Sequence, residues 1–248
     1  ENRVSFMKHV AENARVTIFS VPHAFTGKSK ILQDNAITSW TLLHPNIEII
    51  LLGDAPGVRE YAATRENIQH IPEIKRNRFG TPMLRDVFSK AIHAARNNLL
   101  CYAGSTMILT SQFIEALRKL PLEKRFFLVA RQVDLDIDTA LTFQRDWETK
   151  LLADVRDKGK LHGGSAMNIM LFPRDLTMTL HDFLIERPGW DNAFTYQLLK
   201  QGIPLLDATL AFPAIHQNHA QSYHKEEAAY NFKLAGGLSQ MVTIGNAH

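Results

Sequence analysis

Apolar positions along this chain follow two alternating rhythms. Val16 to Val21 and "IEIILLGD" (47 to 54) are nearly unbroken apolar runs of strand length, as expected for strands covered on both faces. Between them, "SKILQDNAITSWTLL" carries apolar residues at 31, 32, 36, 37, 40 and 43, the spacing of an amphipathic helix. After a sharp break at "GDAPGV", the stretch "GVREYAATRE" reads as helix, "IQHIPEI" as a short strand and "RNRFGTP" as a loop. A strongly periodic helix, "MLRDVFSKAIHAARN", leads into the strand "LLCYAG". This β-α-β-α-β-α-β alternation predicts an α/β fold with a parallel sheet and helices on both faces. Residues 3 to 14 are expected to form a short helix before the first strand.

The second half keeps the alternation but lengthens its loops. "SQFIEALRKL" predicts a helix, "RFFLVARQ" a strand and "DWETKLLADVRDKG" a charged amphipathic helix. "HGGSAMNIMLFP" runs from a glycine turn into a strand, "WDNAFTYQLLKQG" is helical and "IPLLDAT" is a short strand. The tail "IHQNHAQSYHKEEAAYNFKLAGG" is polar and rich in histidine. At 248 residues, a single α/β domain spanning 1–248 is the expected organisation.

Composition narrows this picture only a little. With 45% hydrophobic and 21% charged residues the chain has ordinary globular proportions. A net charge of +3 suits an anionic small ligand as well as nucleic acid. One cysteine, Cys101 in "NLLCYA", excludes an internal disulfide framework and reads as a buried, inert thiol. No run approaches the ~18 apolar residues of a membrane span, and no signal peptide is visible, so the expected location is the cytoplasm. The sequence starts on Glu1 rather than methionine, which allows it to be part of a longer protein.

Candidate chemistry gathers at strand ends, where open α/β sheets bind ligands. The first strand runs into Thr26-Gly27-Lys28-Ser29, the close of a phosphate-binding loop, but the position of that loop's first glycine holds Pro22. Proline lacks the N–H and the freedom in φ that such a loop needs, so the nucleotide-hydrolase reading fails. Asp54, after the second strand, is either a turn residue or an acceptor for a nucleobase or ribose. Lys75, Arg76 and Arg78 surround the glycine-containing loop "KRNRFGTP", either as a solvated basic loop or as phosphate contacts. Asp134, Asp136 and Asp138 share one side of an extended segment and form either a metal-binding set or an exposed acidic edge. His162, Gly163 and Gly164 make a turn that permits close backbone approach, expected to face substrate. In "RPGWDNAF", Asp191 at a helix start is either a first-turn acid or a general base, with Trp190 offering its face to a sugar. His216, His219 and His224 are spaced so that one can meet a diphosphate or a metal.

Together these stretches resemble a GT-A-type glycosyltransferase of the large family 2-like group. The resemblance runs from about residue 15 to the end and is carried by Pro22, "LLGDAPGVRE", "IPEIKRNRFGTPML", "LLCYAGSTMIL", "HGGSAMNIMLFPRDL", "RPGWDNAF", "DATLAFPAIHQNH" and "YNFKLAGG". It implies a Rossmann-like domain with a mixed, mostly parallel sheet, residues 15–110 binding a nucleoside-diphosphate sugar such as a UDP-sugar and 111–248 binding the acceptor. The implied donor wall is Pro22, Asp54, Arg76, Gly80, Thr81, Ser105 and Thr106. The implied acceptor side is His162, Gly163, Gly164, Trp190 and Asn192, with Asp191 the general base of inverting members. A divalent cation, manganese or magnesium, would have His216 as its candidate ligand. Two positions depart from the pattern: Thr106 replaces the last acid of the D-x-D-type motif, and Asn168 stands where an acid is common. The implied function is therefore sugar transfer to a glycan or other hydroxyl acceptor, without a metal and without nucleic acid. The alternatives are an inactive sugar-nucleotide or glycan-binding module and, more remotely, a nucleotidyltransferase.

Overall fold

The computed structural model describes residues 15–120, 125–220 and 222–244, so the helix expected over 3 to 14 lies outside the described residues. The first half alternates as its periodicity predicts: β1 (Val16–Ser20), α1 (Gly27–Leu43), β2 (Glu48–Leu52), α2 (Val58–Ala63), β3 (Ile68–Ile71), α3 (Leu84–Ala94) and β4 (Leu99–Ala103). The chain continues through β5 (Met107–Ile108), α4 (Ser111–Leu117), β6 (Phe127–Ala130), β7 (Gln132–Leu135), α5 (Trp147–Lys158), β8 (Lys160–Leu161), β9 (Ile169–Pro173), α6 (Trp190–Lys200), β10 (Leu205–Asp207), β11 (Ala214–Gln217) and α7 (Tyr230–Ala235).

Seven strands from both halves form one sheet in the order β10-β6-β9-β4-β1-β2-β3. All neighbours run parallel except β9, which is antiparallel to β4 and to β6. Alternation along β1 explains the two-sided core. Val16 and Ile18 face Ala36 and Trp40 of α1 and Phe113 of α4; Phe19 faces Phe88 of α3, Phe172 and Phe194 of α6. Phe88 anchors that second side, edge-on to Phe19 at 5.0 Å and stacked on Phe172 at 5.9 Å.

A second sheet, β5-β11-β7-β8, lies over α5 and was not legible beforehand. Its strands are two to four residues long and mix polar with apolar positions, as in "QVDL" and "AIHQ". Helix α1 joins the sheets through polar residues on its buried side. Asn35 Nδ2 donates to Gln217 Oε1 and to Thr139 O, both at 3.0 Å, and Trp40 Nε1 donates to Met107 O at 2.8 Å. These buried polar groups are tolerated because each finds a partner. No helix among the described residues is long and apolar enough to cross a membrane.

Candidate active site

Where the parallel strands end, a cleft of about 830 Å³ opens. The loop after β1, the start of α1 and Gly104 to Met107 after β4 form one wall. Because β9 is antiparallel, its N-terminal approach reaches the same edge and brings Ser165, Ala166 and Asn168 into the cleft. The segment Glu186 to Asp191, with His216 and His219, completes the lining.

Asp191 is only 5% exposed. Gly189, in the left-handed region at φ 76°, makes the turn that starts α6 and leaves Asp191 in the first helical turn. Its Oδ2 accepts from Met167 N at 2.8 Å and its Oδ1 from Asn192 N at 3.0 Å. Burial pushes its carboxyl up to about 6, although those N–H groups and the nearby His162 favour the charged form. An Asp that is ionised at neutral pH yet takes up a proton near 6 suits a general base.

Opposite it lies a polar chain that ends on two histidines. Asn168 Nδ2 donates to Gln132 Oε1 at 2.7 Å, and Gln132 Nε2 donates to Asp134 Oδ1 at 2.8 Å. Asp134 then meets His162 Nδ1 through Oδ2 at 2.7 Å and His216 Nδ1 through Oδ1 at 3.0 Å. Burial opposes ionisation of Asp134, but these contacts outweigh it and hold the carboxyl below its ordinary value. An ionised carboxylate only accepts, so each ring carries its proton on Nδ1 and keeps Nε2 as a lone pair while neutral. Burial, helped by the neighbouring His219, lowers the His216 value and keeps it neutral. Thr106 Oγ1 lies 3.5 Å from His219 Nε2.

These donors do not fit a hard divalent cation, which wants carboxylate oxygens. After β4 stand the neutral hydroxyls of Ser105 and Thr106, both buried, and both Asp134 oxygens are engaged. Asp136 accepts from Asn218 and Asp138 pairs with Lys28, so the three aspartates of the suspected set diverge. Among the described residues no three His, Cys, Asp or Glu side chains gather in a metal-holding arrangement, and His216 does not complete one.

Of the expected site residues, Ser105, Thr106, His162, Trp190, Asp191 and His216 line this one cleft, and so does Lys28. The others fall elsewhere. Pro22 is buried at the end of β1. The Asp54 side chain is 75% exposed beside Arg76 at 3.5 Å, and Arg76 Nη1 donates to Gly80 O at 2.9 Å. Thr81 is buried and its hydroxyl donates to Glu227 and accepts from Arg187 Nη2, so it ties loops together.

Three acceptor-side expectations need correction. Trp190 is 3% exposed and packs edge-on against Tyr102 at 5.2 Å, so its face lies in the core rather than open to a sugar. The close approach that Gly164 permits is by the chain's own Ile244, whose carbonyl oxygen would lie 2.2 Å from an added Cβ; Gly163 faces open space. Asn192 Nδ2 donates to Val242 O at 2.8 Å and so holds the segment after α7. His224, similarly, stacks on Phe79 at 4.1 Å outside the cleft.

Sequence reasoning missed Gln132 and the pair His23 and Glu186, whose Nε2 and Oε2 lie 2.9 Å apart within the cleft. Neither had a motif to betray it, since both pairings join parts of the chain far apart in sequence.

The sequence matches no protein-family model and no curated protein. The fold, however, is similar to solved structures. A mannosyltransferase from Pyrobaculum calidifontis, solved with GDP-Man and Mn2+, aligns with a TM-score of 0.52 at 14% identity, over 88% of this chain and 63% of its own. GalNAc-T7 with UDP, GalNAc and Mn2+ gives 0.52 at 12% identity, over 85% of this chain and 44% of its own. This chain thus spans less than two thirds of either protein. Glucosyl-3-phosphoglycerate synthase from M. tuberculosis gives 0.53 at 12% identity, over 97% of this chain and 84% of its own. With its mixed seven-stranded sheet and strand-end cleft, the chain has the GT-A-type fold of nucleotide-sugar transferases.

Proposed function

We propose that this chain transfers a glycosyl group from a nucleoside-diphosphate sugar to an acceptor hydroxyl, with protein groups rather than a metal meeting the departing diphosphate. The carrying observation is Asp191, a buried carboxylate on the cleft wall whose value is raised to about 6. In this reading Asp191 takes the proton of the acceptor hydroxyl, whose oxygen bonds to the anomeric carbon. The bond from that carbon to the diphosphate oxygen breaks, and its electron pair leaves with the diphosphate.

The nucleoside lies along the edge beyond β1 and β2, where the exposed Asp54 and the half-buried Arg76 stand side by side. The diphosphate meets the hydroxyls of Ser105 and Thr106, Lys28 and the free N–H groups at the start of α1. Its negative charge also favours protonation of His216, turning that ring's acceptor nitrogen into a donor. Single domain organisation and acceptor binding in the second half follow from this reading.

Donor binding is read by calorimetry with UDP, GDP and their sugars, and turnover by Asp191→Asn. The variant should bind donor nearly as well as the wild type and lose ~10²–10⁴-fold in turnover, the worth of a positioned base. Near-normal turnover removes Asp191 from the mechanism. Tight donor binding by a wild type that never turns over would favour a binding module instead, the reading that the missing acid at Thr106 supports.

A further inference from the structure

Among the described residues, Glu186 is the one residue other than glycine with a positive φ, 61°. The left-handed region crowds Cβ against the backbone, and such strain persists mainly where the surroundings over-determine it, as at ligand sites. What holds Glu186 there is visible. Its Oε2 meets His23 Nε2 at 2.9 Å, and His23 is itself gripped by Gln33, which accepts from its N–H at 2.7 Å and donates to its carbonyl at 3.1 Å. Oε1 has no hydrogen-bond partner among the described residues, although Glu186 lines the cleft. Burial opposes ionisation, but the bond and charge of His23, with Arg187, hold the carboxyl below its ordinary value.

The position matters as much as the chemistry. Glu186 is tied through His23 to the loop after β1, on the donor side, and stands five residues before Asp191 on the acceptor side. On the transferase reading above, the sugar in transit occupies the space between these two walls. We infer that Glu186 accepts hydrogen bonds from hydroxyl groups of the transferred sugar and so selects which nucleotide sugar the site takes. A free, acceptor-only carboxylate oxygen is suited to sugar hydroxyls, and a site built to hydrogen-bond a hydroxyl discriminates strongly against ligands lacking it. His23 is the positioning partner, because it fixes one oxygen and leaves the other for the ligand.

The test compares UDP-glucose, UDP-galactose, UDP-N-acetylglucosamine and GDP-mannose with bare UDP and GDP, by calorimetry on the wild type, Glu186→Gln and Glu186→Gly. Glycine accepts the left-handed backbone, so that variant retains the local fold. The wild type should bind one nucleotide sugar better than its bare nucleotide. Both variants should keep the bare-nucleotide affinity within about threefold and lose about tenfold or more of the sugar's advantage, roughly one charged hydrogen bond. A sugar advantage that survives in either variant overturns the role of Glu186 and leaves the transferase reading standing. A wild type that binds neither sugars nor bare nucleotides overturns both.

Discussion

Glu227 Oε2 lies 3.0 Å from Arg187 Nε, and the two side chains are 2% and 17% exposed. The same carboxylate accepts from Asn77 Nδ2 at 2.8 Å and from Thr81 Oγ1. One buried acid therefore fastens the basic loop after β3 and the cleft wall before α6 to the segment that follows β11. Glu227→Ala strands Arg187 and should cost about 3–5 kcal/mol in urea unfolding, the usual penalty for orphaning a buried charge. Burial works against the Glu227 charge, but Thr81, Asn77 and Arg187 outweigh it and hold its carboxyl below the ordinary value. Its stabilisation is then present above the unfolded value of about 4.3 and lost as pH falls through the folded one. A gap between wild type and variant that stays constant from pH 7 to 3 would contradict this.

Asp191 should impose an acid limb on turnover with an apparent value of about 6, where burial places its carboxyl. For stability the sign is opposite to that of Glu227. A carboxyl raised in the folded state contributes stability at low pH, and that contribution is lost as pH rises through about 6. Asp191→Asn should therefore flatten the stability profile between about pH 4 and 6. Matched pH series of turnover and thermal unfolding check both limbs.

Metal removal should change little. Extensive treatment with a chelator should leave UDP or GDP affinity within about twofold, because the strand end after β4 offers the hydroxyls of Ser105 and Thr106 where a hard cation wants carboxylates, and among the described residues no three such side chains gather. If chelation abolishes binding or turnover, the Asp134, His162 and His216 group becomes the place to seek a ligand set.

Asp134→Asn should disturb both histidines. An amide can accept from only one Nδ1–H and turns its NH2 on the other, forcing that ring to change tautomer. Imidazole nitrogen shifts in NMR should show one histidine switching, and turnover should fall about tenfold to hundredfold, near the loss of one charged hydrogen bond. An unchanged spectrum with unchanged turnover removes Asp134 from the site.

The fold was legible where burial imposes a rhythm. The continuous apolar runs of β1 and β2 and the spacing in α1 and α3 announced a covered parallel sheet. The second sheet was silent because strands as short as Lys160–Leu161 carry no period. Asp191 was legible because a turn and a helix start mark it locally. The network from Asn168 to His216 was not, since its members lie 36 and 82 residues apart along the chain and only topology joins them. Loop residues such as Thr81 and Gly164 were read toward a ligand, whereas their neighbours are other parts of the same chain.

The antiparallel strand β9 also sets a timetable for synthesis. Residues of β4 leave the ribosome with β1 ready to pair on one side, but their other partner, Ile169–Pro173, is made some seventy residues later. Until then Leu100 to Ala103 present an apolar strand with an open row of backbone donors and acceptors, the kind of edge that recruits foreign strands. The gap closes in one event, because three of the same residues, Ile169 to Leu171, also pair with β6 and fuse the two parts of the sheet. The chain should thus be most prone to aggregation until residues 169–173 have been made, and a truncation before residue 169 should leave a sticky half-sheet rather than a small stable domain.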